Sequence, residues 1–159
     1  MKIMIVSDTH RNHDNLKLAL EKEKPIDQMI HCGDSEGAEY IIEEIARCPL
    51  EIVLGNNDFF SDLEREKEFQ IGKYKVWLTH GHSYGVAIGI ERIKEEAIAR
   101  GVDIVMFGHS HKPLVDISQN IIAVNPGSLS YPRQEGRKPS FVIMELDKEG
   151  EAHFQIQYL

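Results

Sequence analysis

Five short stretches of this chain carry residues able to bind metal ions or move protons. They are "SDTH" at 7–10, "HCGD" at 31–34, "GNND" at 55–58, "THGH" at 79–82 and "GHSH" at 108–111. Together they offer Asp8, His10, Asp34, Asn56, His80, His109 and His111, all oxygen or imidazole donors. Carboxylate and amide oxygens suit manganese or magnesium, while imidazoles add affinity for manganese, iron, nickel or zinc. A structural zinc site more often uses thiolates, and Cys32 and Cys48 are the only cysteines and are not spaced as a CxxC pair. Seven protein donors are too many for one tetrahedral site, but they can fill two sites with open positions for water and substrate if one carboxylate bridges. Side chains two apart share one side of a strand but diverge in a turn, so the pair His109 and His111 is one site, two sites or none according to which holds.

Each stretch follows an apolar run, and those runs are the elements that must position the donors. Residues 2–6 (KIMIV) predict a buried strand feeding a loop. Leu16, Ala19, Leu20 and Glu23 predict a helix ending before Pro25. The cycle repeats as "DQMIHCGD" (strand, loop), "EYIIEEIARC" (helix) and "LEIVLGNND" (strand, loop). Such alternation implies a mostly parallel sheet with helices on its faces, and ligands of such sheets bind at the carboxyl ends of the strands. Further on, "KYKVWLTHGH" predicts another strand and loop, and Val86, Ile90, Ile93 and Ala97 predict a helix closed by Gly101. "LVDISQNIIAVNP" and "SFVIMELDKEGEAHFQIQYL" read as hairpins, and "DLEREKE" as a solvated segment. The expectation is one domain over residues 1–159, with two sheets packed face to face and helices outside. Gly33, Gly55, Gly81 and Gly108 stand beside the donors, where they let the backbone turn sharply.

Composition narrows the function classes. The chain has 159 residues, 42% hydrophobic and 28% charged, and a net charge of −8 with histidine neutral. That balance argues against a general nucleic-acid binder and leaves no basic patch to attract a membrane. An anionic substrate must be met by local positive charge. The start, "MKIMIVSDTH", is a short apolar run broken at once by polar residues, so the expected location is cytoplasmic, with both thiols reduced.

The ordered set D-x-H, G-D, G-N-x-D, a histidine after a strand, and G-H-x-H resembles the calcineurin-like metallophosphoesterase superfamily, in its small bacterial and archaeal phosphodiesterase branch. The resemblance runs from Met1 to about Ser128, and the last hairpin fits the same fold. It implies an α/β fold, a four-layer αββα sandwich of two mixed sheets flanked by helices. It also implies a dinuclear centre in which Asp8, His10 and His111 hold one ion, Asn56, His80 and His109 the other, and Asp34 bridges them. The ions expected are divalent, manganese first, with nickel, iron or zinc as alternatives. A hydroxide between them would attack the phosphorus of a small phosphoester in line with the leaving oxygen.

Many family members carry histidine directly after the ligand asparagine, where it is thought to contact the phosphate or protonate the leaving group. Here Asn57 stands there. An amide can donate to a phosphoryl oxygen but cannot transfer a proton near neutral pH, so a catalytic term of about 10²- to 10⁴-fold would be missing for poor leaving groups. His82 is a candidate substitute acid, and Asp58 a residue that orients a ligand or makes a turn. Gly127 and Ser128, in "NPGS", offer either amides where phosphate could dock or merely a tight turn, and Arg133 is either a planar fork that matches phosphate oxygens or an exposed loop arginine. Arg11 could narrow the mouth of the site. His13, His31 and His153 read as a helix-start, a core and a strand histidine without chemistry. Two other functions compete: a nuclease, disfavoured by the acidic balance, and a catalytically silent scaffold of the same fold. Apolar edges in the last hairpin leave a homo-oligomer open.

Overall fold

The computed structural model describes residues 1–118 and 120–159. Its first sheet has strand order β10-β9-β1-β2-β3, built from β1 (Lys2–Val6), β2 (Gln28–His31), β3 (Leu50–Ile52), β9 (Ser140–Leu146) and β10 (Ala152–Tyr158). The second has order β4-β5-β6-β8-β7, from β4 (Glu66–Ile71), β5 (Tyr74–Thr79), β6 (Ile104–Met106), β7 (Pro113–Ser118) and β8 (Ile121–Pro126). Both are mixed. β1, β2 and β3 run parallel, as do β5, β6 and β8, whereas β9, β10, β4 and β7 join antiparallel.

Strand alternation sorts the apolar side chains into layers. Ile3 and Ile5 of β1 point to the core between the sheets, where they meet Val76 and Leu78 of β5 and Ile104 and Met106 of β6. Met4 and Val6, on the other face of β1, pack with Leu16 and Ala19 of α1 (Asp14–Glu23) and Ile42 of α2 (Glu39–Ala46). Trp77 and Val105, on the far face of the second sheet, pack with Ile93 and Ala97 of α3 (Glu91–Arg100). The four layers are therefore helices, sheet, sheet, helix, as expected for the αββα sandwich. No helix among the described residues is long and apolar enough to cross a membrane.

Local chemistry sets the boundaries. Pro25 holds Lys24 out of the helical region (ψ 146°), so α1 stops at Glu23. The helix expected from Val86 instead begins at Glu91: residues 82–84 form a single 3-10 turn, and Gly85 is left-handed, although Val86 is buried in the same cluster as α3. "DLEREKE" is not all solvated loop. Its last three residues open β4, an edge strand whose Phe69 and Ile71 reach the central core. The 114–126 hairpin is present as the β7–β8 pair, though its residue Gln119 lies outside the described residues.

Candidate metal centre

The loops after β1, β2 and β3 and those after β5 and β6 emerge at one end of the two sheets and are tied together by backbone. Asp8 N–H donates to Gly33 O and His10 N–H to Asp34 O, both at 3.0 Å, joining the first two loops. Gly108 N–H donates to His80 O at 3.1 Å, joining the last two. Asp8 Oδ2 accepts from its neighbour Ser7 Oγ at 2.6 Å and, across the sheets, from His109 N–H at 3.2 Å. The backbone is strained at the donor positions themselves. Asp8 (φ 53°), His10 (44°), Asp34 (60°), His109 (65°) and His111 (58°) all sit in the left-handed region that non-glycine residues avoid, as functional sites often require. Gly55 and Gly108 are needed for space rather than for turning. A Cβ on Gly55 would lie 2.1 Å from Asp34 Oδ1, and one on Gly108 2.0 Å from Ser7 Oγ.

Three histidines are set in the same way. His111 Nδ1 lies 2.7 Å from Tyr131 O, His80 Nδ1 2.7 Å from Cys32 O, and His10 Nδ1 2.6 Å from Glu36 Oε1. Each partner can only accept, so Nδ1 carries the proton and Nε2 is left with its lone pair facing inward. Those lone pairs meet oxygens. His111 Nε2 is 3.0 Å from Asp8 Oδ1, and His80 Nε2 is 3.5 Å from Asp34 Oδ2 and 3.0 Å from Asn56 Oδ1. His10 Nε2 is 3.9 Å from Asp8 Oδ1 and 3.8 Å from Asp34 Oδ2. A ring nitrogen and a carboxylate facing each other in this way call for positive charge, supplied by a second proton on the ring or by a cation among them. Asp8 Oδ1 and His10 Nε2 are in addition buried with no hydrogen-bond partner. Clamping Nδ1 on a carbonyl or carboxylate so that Nε2 is presented is how metal-binding histidines are oriented, and the residues fit such a group.

Ligand atoms of Asp8, His10 and His111 lie within 4.8 Å of one another, and so do those of Asp8, Asp34 and His80. Asp8 thus belongs to both clusters, and Asp34 Oδ2 lies within 4 Å of a histidine in each. The electrostatics agree with the geometry. Burial alone would raise the Asp8 and Asp34 carboxyls, but His111 and His80 outweigh it for Asp8, and His80 and Asn57 for Asp34. Asp8 is held below its ordinary value and Asp34 well below. His80 is raised despite its burial, because the oxygens of Asp34 and Asp8 call for positive charge at its ring. His109 is not in either cluster. Its ring centroid is 5.2 Å from that of His80, and burial and His80 lower its pKa.

The remaining candidates separate clearly. Asn57 N–H and Nδ2 donate to the two oxygens of Asp34 at 2.8 and 2.7 Å, so its amide holds Asp34. Asp58 is buried and does not line the cleft. Its oxygens accept from Asp34 N, Gly55 N, Ser35 Oγ and Glu36 N, clamping the second loop to the third. Gly127 and Ser128 are not a phosphate cradle. Gly127 N–H is already given to Asn125 Oδ1, and Ser128 is fully buried with Oγ donating to Asp8 O and accepting from Ser130 N and Tyr131 N. His82 opens the 3-10 turn with its ring 5.5 Å from His80. Burial and His80 lower its pKa. Arg11 donates to Glu36 O and lies outside the cleft lining. Arg133 does line the cleft, a space of about 650 Å³ floored by His10, Asp34, Asn56, His109 and His111. Sequence reasoning missed Glu36, the partner of His10, and Tyr131, whose ring is 5.0 Å from that of His10. It also missed Arg137, a second cation on the cleft wall, four residues beyond Arg133.

A four-layer sandwich with carboxylates and histidines gathered at its strand ends defines a metallophosphoesterase-type protein. Comparison with known proteins gives the family: residues 1–149 match the calcineurin-like phosphoesterase superfamily domain, and the chain belongs to that superfamily. It is 34% identical over 150 residues to the probable metallophosphoesterase YsnB of Bacillus subtilis, covering 94% of this chain and 86% of that protein. It is 30% identical over 146 residues to the phosphodiesterase MJ0936 of Methanocaldococcus jannaschii, covering 80% and 83%. Among solved structures, it resembles a conserved uncharacterized protein of Streptococcus pneumoniae TIGR4 (TM-score 0.81, 26% identity, 99% and 88% coverage). It shares its fold with Entamoeba histolytica Vps29 complexed with zinc (TM-score 0.78, 21% identity, 99% of each chain).

Proposed function

We propose that this protein is a metal-dependent phosphodiesterase with a dinuclear centre acting on a small phosphoester. The observation that carries this is the set of three histidines, each clamped at Nδ1, whose Nε2 atoms converge on the oxygens of Asp8 and Asp34 at the floor of an open cleft. Asp8, His10 and His111 would hold one divalent ion, Asn56, His80 and His109 the other, and Asp34 would lie between them. Manganese suits this mixed oxygen and imidazole set, with nickel, iron or zinc as alternatives. Such ions supply charge that neutralises phosphoryl oxygens and lower the pKa of a water between them toward about 7, so that it can attack phosphorus.

The chain's own residues fix the geometry. Asn57 and Asp58 act through Asp34, the first holding its carboxylate and the second its backbone. With Asn57 Nδ2 committed to Asp34, that amide supplies no proton in place of the family's histidine. His82 does not supply one, since its lowered pKa leaves the ring neutral at neutral pH and it does not line the cleft. The expected preference is therefore for diesters with good leaving groups over alkyl monoesters. Arg133 would meet the anionic part of the substrate at the cleft wall.

The test is hydrolysis of bis(p-nitrophenyl) phosphate with manganese, nickel, iron or zinc by the wild type and by Asp34→Asn. The expected result is metal-dependent turnover that falls at least about 100-fold in the variant. Undiminished turnover in Asp34→Asn would place the activity elsewhere. Two bound ions with no turnover under any metal would favour the scaffold reading.

A further inference from the structure

The cleft beside the candidate centre carries two arginines on its wall. Its volume of about 650 Å³ falls in the range that takes a whole small ligand rather than a lone phosphate group. The floor is formed by the candidate ligands, and the opposite wall by Tyr131, Pro132, Arg133 and Arg137. Both arginines are exposed, and among the described residues neither is ion-paired with a carboxylate. In a chain of net charge −8, these two guanidinium groups stand on the wall of the cleft whose floor the candidate ligands form.

The wall is built, not loose. Arg133 N–H donates to His111 O at 3.0 Å, fastening the segment to a candidate ligand loop. Arg137 N–H donates to Gln134 O at 3.0 Å, and Gln134 Nε2 donates to Lys138 O, closing a turn around the second arginine. Arg137 is held at φ 44°, a conformation a non-glycine residue adopts only when its surroundings impose it.

The two guanidinium groups stand apart from the donor set that would meet the scissile phosphoryl group. They match a terminal phosphate, which carries about −1.5 to −2 at neutral pH and presents oxygens suited to bidentate guanidinium donors.

We propose that Arg133 and Arg137 form a second anion subsite, and that the natural substrate is a phosphodiester bearing a further terminal phosphate. This deepens the phosphodiesterase reading and rests on it.

The experiment compares two probes alike except at one position, thymidine 5′-(p-nitrophenyl phosphate) and the same diester carrying a 3′-phosphate. The wild type should prefer the phosphorylated probe by about tenfold or more in kcat/KM, through KM, as expected for charge-assisted hydrogen bonds. That preference should shrink in Arg133→Ala and in Arg137→Ala and approach one in the double variant. It should persist in Lys138→Ala, a neighbouring cation outside the cleft lining. A second readout needs no metal: thymidine 3′-monophosphate titrated calorimetrically into chelator-treated protein should bind about tenfold more weakly to the double variant. A wild-type preference near one, or a preference or affinity unchanged in the double variant, overturns the subsite. If neither diester is turned over under any metal, the phosphodiesterase reading fails, and the metal-free titration still decides the subsite.

Discussion

Acidification from pH 7.5 to pH 4.5 puts a proton onto His31 in the unfolded chain but not in the fold. His31 lies at the end of β2, fully buried, and accepts the N–H of Gly33 on Nδ1 at 3.2 Å. Its own proton is therefore on Nε2, 3.0 Å from Thr9 Oγ1, so one neutral ring joins the loops that carry Asp8 and Asp34. Burial holds its pKa at about 4 against an ordinary 6.5, despite the attraction of Asp58, Asp8 and Asp34. A lowered histidine pKa means that the unfolded chain binds more protons between pH 6.5 and 4. The stability is thus whole above about pH 6.5 and is lost as pH falls through that window, by about 2–3 kcal/mol at pH 4.5. Urea denaturation of chelator-treated wild type and His31→Gln at both pH values isolates this, because the titrations of Asp8, Asp34 and His80 are common to both proteins. Wild type should lose about 2–3 kcal/mol more than the variant. Parallel losses would refute the assignment of a buried neutral imidazole.

Glu36→Ala should weaken manganese binding about 10- to 100-fold by freeing the His10 ring, with partial rescue in Glu36→Gln, whose amide oxygen can still accept from Nδ1; calorimetric titration measures it. Gly108→Ala should destabilise the fold by about 1–3 kcal/mol in denaturation, because its Cβ would lie 2.0 Å from Ser7 Oγ and 2.8 Å from Asp8 Oδ2. Asp58→Ala strands buried donors at about 1–3 kcal/mol each, so the variant should be less stable by at least about 3 kcal/mol, and hydrogen exchange should quicken at the amides of Asp34, Gly55 and Glu36.

The donor set was legible because each member follows an apolar run at the carboxyl end of a strand, and strand order then collects those ends without further information. The layers were legible because strands as continuously apolar as "KIMIV" and "KVWL" must be covered on both faces. β4 was hidden by its charges, since Glu66, Lys67 and Glu68 look solvated whether or not an edge strand carries them. The start of α3 was misread because Val86 is buried as a helix residue would be, while the left-handed Gly85 breaks the path to it. Glu36 was out of reach for a different reason. Its contact with His10 depends on a left-handed backbone (φ 58°) imposed by Asp58, and periodicity cannot register that. Gly127 and Ser128 have the composition of a phosphate loop, but their donors are spent on Asn125 and Asp8, which only the packed structure decides.

The central claim is that two divalent ions sit side by side between the histidines of the two sheets. Equilibrium dialysis of the wild type against manganese, read by metal analysis and by electron paramagnetic resonance, tests it directly. The prediction is two ions per chain with the spectrum of a spin-coupled pair, reduced to uncoupled or single-ion binding in Asp34→Asn. One ion per chain at saturation, or two that show no coupling in the wild type, would contradict it.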